Sequence, residues 1–155
     1  MEREGWEGAA GGQGVSAVLE AARAELNSRC NAIEECYEFM LAYAAQGLDS
    51  DVGTGSGSQI RGFLHRSDEA LTDLAGFLNR FVEQLSVESA PPFTAFMTVL
   101  DRDARDAQAA VRLVLAQPVI SSQLVDNLNA SIHLRALLTD LFLIDEALKT
   151  YRRKE

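Results

Sequence analysis

Apolar residues recur along this chain in alternating steps of three and four, and they do so in four separate stretches. In the first, Leu19, Leu26, Ile33 and Met40 repeat every seven residues, with Cys30, Tyr37 and Ala44 as a companion column. This spacing keeps one face of an α-helix apolar. It predicts a helix from an N-cap at Ser16 to Gln46. Gly47 then takes the left-handed position after the helix, and Leu48 folds back on Tyr43.

The second stretch places Ile60, Leu64, Ser67, Leu71, Leu74, Leu78, Phe81 and Leu85 on one face, opened by a capping box of Ser56 and Gln59. The third runs through Phe93, Met97, Leu100, Ala104, Ala107, Val111 and Val114, with Pro92 at its first position and Pro118 as its stop. The fourth reads Leu124, Leu128, Ser131, Leu134, Leu138, Leu141 and Leu148, and ends near Arg152. Ser121 caps it, inside a hydrophobic staple of Ile120 and Val125. The breaks are LDSDVGTGSGSQ, SVESAPP and the segment around Pro118. No alternating strand pattern competes.

The expected fold is all-α: an antiparallel up-down-up-down four-helix bundle over residues 14–155, preceded by a disordered Gly-rich tail over 1–13 that holds the lone Trp6. With 155 residues and 47% apolar content, the chain is long enough for one domain with one core.

Charge narrows the partners. Fourteen basic against 23 acidic residues leave a net charge of -9, which disfavours nucleic acid and anionic membranes. The basic cluster Lys149, Arg152, Arg153 and Lys154 complements the negative end of the last helix. Cys30 and Cys36, six apart on one helix, point in different directions and read as free thiols, which suits a reducing compartment. No apolar run approaches the ~20 residues that span a bilayer, and the N-terminus lacks the apolar core of a signal peptide, so the expected location is cytoplasmic.

The motifs of catalysis are missing. Di-iron bundles need Glu three residues before His; here Gly62 precedes His65 and Ala130 precedes His133. The haem-attachment and zinc spacings do not occur, and GTGSGSQ lacks the Lys and the strand of a phosphate loop. Asp101, Asp103 and Asp106, alternating with Arg102 and Arg105, read as a solvated face, as do Glu34, Glu35 and Glu38. No metal, cofactor or enzymatic activity is expected.

One stretch carries a resemblance. IRGFLHRSDEAL sets His65 on the flank of a helical bundle, which resembles histidine phosphotransfer domains. The resemblance implies His65 as phosphoacceptor. The chain departs from that family in carrying Asp68 and Glu69 where Lys and Gly usually follow the histidine, although Arg61 and Arg66 could offset the two carboxylates.

Two further features suggest binding. Aligning the four helices by their ends brings Cys30, Ser67, Ala104, Ala107 and Ser131 to one level. They form either a narrow waist or the lining of a small-ligand pocket. The stretch ALLTDLFLIDEAL is apolar beyond one stripe, with Leu137, Ile144 and Tyr151 along an edge and Leu143 opposite the core. Leu137, Leu143, Ile144 and Tyr151 are therefore the expected docking face for a homodimer or a protein partner. The leading expectation is a non-enzymatic helical interaction module: an adaptor, a dedicated chaperone or a regulatory subunit. Phosphotransfer through His65 and ligand binding at the waist are the alternatives.

Overall fold

The four stripes fold as six helices, because two of the expected rods are broken. A computed structural model describes residues 4–85 and 90–152, with side-chain packing from residue 17 onward. Its helices are α1 (Glu4–Ala45), α2 (Gly57–Leu71), α3 (Leu74–Gln84), α4 (Ala90–Leu115), α5 (Ser122–Ala130) and α6 (His133–Arg152). They take up most of the described residues, and no strand occurs among these. No described helix is long and apolar enough to cross a membrane.

The expected helix start at Ser16 is corrected, since α1 runs from Glu4. The packing of segment 1–13 and of Trp6, and the structure of segment 86–89 in the second expected break, lie outside the described residues. Gly47 has φ +65°, as the stop of α1 requires. The Ser56 capping box does not form; Thr54 Oγ1 accepts the Gly57 N–H at 2.8 Å instead. Ser121 does cap α5, accepting the Leu124 N–H at 3.0 Å.

Both breaks turn on a non-glycine residue in the left-handed region. Between α2 and α3 it is Asp73, at φ 51°. A helix interrupted there leaves carbonyls without intrahelical donors. Arg29 of α1 supplies them, donating to Ala70 O at 3.2 Å and Thr72 O at 2.8 Å. Gln108 of α4 donates to Asp68 O at 3.0 Å, and Arg112 binds the Asp68 carboxylate at 2.9 Å. Gly76 makes room for the Asp73 carboxylate, which occupies the space a Cβ would need. Between α5 and α6 the turn residue is Ile132, at φ 63° and 58% exposed. The Ser131 hydroxyl there donates to Leu128 O.

The core follows the stripes, with corrections in the fourth. Ile60, Leu64, Ser67, Leu71, Leu74, Leu78 and Phe81 are buried as expected, as are Met97, Leu100, Ala104, Ala107, Val111 and Val114. In α5 it is Val125 that is buried, and Leu124 is only half-buried. In α6 Leu137 and Ile144 join Leu134, Leu138, Leu141 and Leu148 inside.

Neighbouring helices run in opposite directions. Phe39 of α1 stacks on Phe63 of α2 at 4.3 Å, while Arg29, earlier in α1, reaches the end of α2. Phe93 at the start of α4 meets Tyr151 at the end of α6, with ring centroids 5.9 Å apart. One end of the molecule is closed by a polar network. Asp51 accepts from Ile120 N and Arg61 Nε, both at 2.8 Å, and Arg61 also donates to the carbonyls of Leu115, Gln117 and Pro118. Arg61 thereby caps the carbonyl end of α4. Beside it the Tyr43 hydroxyl donates to Ile120 O at 2.6 Å, and Ser122 Oγ bridges Tyr43 O and Leu48 N.

Candidate partner-binding groove between α4 and α6

α4 begins with two prolines and two phenylalanines, and α6 carries Leu143, Ile144 and Ala147 opposite them. The antiparallel pairing leaves a furrow of about 270 Å³ lined by Pro92, Phe93, Phe96, Leu143, Ile144 and Ala147. Every lining residue is apolar. Phe93 and Phe96 are only half-buried, and Leu143 is 58% exposed on the rim. Water wets this surface at a cost that an apolar partner would remove.

The expected docking face is only partly realised. Leu137 and Ile144 are core residues, 0% and 3% exposed, so they cannot form an outer row. α6 packs against α4 and α1 together, so this edge fills the contacts with its neighbours beside the expected stripe. Tyr151 is half-buried, with its ring edge-on to Phe93. Leu143 remains as the exposed member; Phe142, also 58% exposed, lies on the other flank of α6, against α1. The residues that sequence reasoning missed are Phe93 and Phe96. Phe93 belongs to the third stripe, which the spacing reads as core, and Phe96 lies beside that stripe; both are only half-buried.

A pair of interacting carboxyls, Asp140 of α6 and Asp103 of α4, lies outside the furrow's lining. Asp140 lies three and four residues before Leu143 and Ile144, hence on the same side of α6, and Asp103 lies two turns after Phe96 on α4. Burial and the adjacent Asp103 carboxylate, which also shares a hydrogen bond, push the Asp140 carboxyl up to about 7. The Oδ2 atom of Asp140 is buried without a hydrogen-bond partner. Asp103 is thus not part of a solvated face, although its neighbour Asp101 is, paired with Arg105 at 2.9 Å.

On the other flank of α6, a cleft of about 170 Å³ lies against α1, lined among others by Cys30, Glu34, Phe142 and Asp145. Burial, Glu34 and Asp145 push the Cys30 thiol up to about 11, so it is an inert thiol rather than a nucleophile. Burial raises Cys36 to about 12, against smaller lowering effects of Ser67 and Arg66. Both cysteines are free.

The waist residues are not brought together. Ser67, Ala104 and Ala107 are buried in the core, but Cys30 faces the α1–α6 cleft and Ser131 ends α5. His65 is exposed on α2. Of the two cations that could serve a phosphoryl group beside it, Arg61 is engaged in the end network. Arg66 lies over the Phe63 ring at 4.5 Å and donates to Gly62 O. Among the described residues no group of three or more His, Cys, Asp or Glu side chains is placed to hold a metal ion.

No family model, curated protein or solved structure matches the chain.

Proposed function

We propose that this chain is a non-enzymatic helical interaction module, an adaptor, dedicated chaperone or regulatory subunit of the cytoplasm, and that it docks a protein partner in the α4–α6 furrow. In this reading α2–α3 and α5–α6 each serve as one broken rod of an up-down-up-down four-helix bundle, which presents α4 and α6 as a rigid pair of rails. The observation that carries the proposal is the wholly apolar lining from Pro92 to Ala147 with Leu143 standing exposed at its edge. An apolar trough between two parallel-lying helices suits the apolar face of a third. The pair of histidines and the inert cysteines offer no comparable arrangement for chemistry.

A photo-crosslinking residue placed at position 143 tests this in the host cell. The proposal expects a discrete crosslinked partner from position 143 and none from position 113, where Leu113 is at least as exposed but lies on the far part of α4. Equal crosslinking at both sites would remove the furrow as the docking surface.

A further inference from the structure

The cleft between α1 and α6 plays no part in docking at the furrow, and its lining has a different character. Leu26 of α1 and Leu141 of α6 are buried and close its floor, and Phe142, 58% exposed, forms an apolar wall. Glu34 of α1 and Asp145 of α6, both half-buried, bring one carboxylate from each helix to the same space beside Cys30. We propose that this cleft binds a small primary amine, whose alkyl body lies against Phe142 and the leucines and whose ammonium group sits between the two carboxylates.

Size and charge each narrow the ligand. The cleft holds about 170 Å³, about six water volumes at roughly 30 Å³ each. That is below the ~300–1,000 Å³ of sites for drug-sized molecules, and it suits a body of about five carbons with one head group. An alkyl chain there takes the Phe142 wall out of water. Burial first, then Glu34 and Asp145, push the Cys30 thiol up to about 11, so both carboxylates act on the space this thiol lines. The residues lining the cleft include no Arg or Lys to occupy it. An inorganic cation is poorly served, since among the described residues no group of three or more His, Cys, Asp or Glu side chains is placed to hold a metal ion. An ammonium group needs only acceptors, and its three N–H donors divide between two carboxylates. The net charge of -9 concentrates cations at the surface.

The test is a titration of n-pentylamine into the wild-type chain near neutral pH, followed by backbone amide NMR, beside n-pentanol as a neutral probe of the same shape. The amine is expected to saturate, with shifts confined to residues around Cys30, Glu34 and Asp145, and to bind at least about tenfold more tightly than the alcohol. Glu34→Gln together with Asp145→Asn, in a chain of unchanged circular dichroism, should weaken the amine by at least about tenfold and leave the alcohol unaffected. Equal binding of amine and alcohol, amine shifts that spread over the acidic surface without saturating, or no binding of either probe would overturn the proposal. The comparison of the two probes uses the wild-type chain, so it decides the matter even if the double variant does not fold. None of these outcomes bears on the docking furrow, which Leu143→Glu tests separately.

Discussion

Asp140 of α6 faces Asp103 of α4, and the two carboxyls share a hydrogen bond. Asp103 is the charged group that acts on Asp140 among the described residues. The folded Asp140 titrates at about 7 and the unfolded group near the ordinary 3.8, so the folded state binds more protons between these values. Stability contributed by the protonated pair is complete below about pH 4, falls as pH rises toward 7, and is absent above that. Asp140→Asn should flatten this part of the stability–pH curve. Urea denaturation of both proteins at pH 4.5, 6 and 7.5 checks it; parallel curves would show that the pair does not titrate in this window.

The polar end network should matter more to stability than any exposed ion pair. Asp51 is 9% exposed, and its carboxylate is held below the usual range by the Ile120 N–H and Arg61, against the opposing effect of burial. Asp51→Ala leaves Arg61 and the Ile120 N–H without their acceptor, at an expected cost of about 3 kcal/mol. Arg105→Ala, which breaks only the exposed pair with Asp101, should cost less than about 0.5 kcal/mol. Denaturant midpoints for the two variants measure the contrast, and similar losses would mean the network is not a clamp.

How far the sequence could be read is clearest in α2–α3 and in α6. The stripe Ile60 to Phe81 lies on one buried face, yet it runs through a turn at Thr72–Asp73 that the spacing does not reveal. The turn is held by Arg29, Gln108 and Arg112, which are distant in sequence, and a period of three and four counts only neighbours. In α6 the expected stripe stays buried, and Leu137 and Ile144 are buried beside it, because α6 packs against both α4 and α1 and so buries a face wider than one stripe. The furrow was half legible. Leu143 stood out as an apolar residue opposite the stripe, while Phe93, Phe96 and the Asp103–Asp140 contact depend on how α4 pairs with α6.

Ile132 offers a direct probe of the break between α5 and α6. A β-branched residue at φ 63° is strained, and its side chain is mostly exposed, so little packing compensates. Ile132→Gly should stabilise the fold by about 0.5–1 kcal/mol, the relief of strain exceeding the extra entropy of the unfolded chain. Thermal melting is sufficient to see it; a clear loss of stability would mean the exposed Ile132 side chain contributes packing.

The core predictions concern the middle of the molecule. Leu74, 1% exposed at the first position of α3, should cost about 2–5 kcal/mol on truncation to Ala. Ala107, 0% exposed on α4, has no room for growth, and Ala107→Leu should cost about 1–3 kcal/mol through overpacking. A stabilising Ala107→Leu would reveal free volume there and revive the ligand pocket.

The central claim is that the α4–α6 furrow docks a protein partner, and the most direct measurement is the affinity of the crosslinked partner once both proteins are purified. Isothermal titration of that partner into the wild-type chain and into Leu143→Glu, with circular dichroism to show both chains equally helical, decides it. The account predicts a fall in affinity of at least about tenfold for Leu143→Glu, since a carboxylate on the rim of an apolar trough must be desolvated on docking. Unchanged affinity in an equally folded Leu143→Glu chain would contradict it.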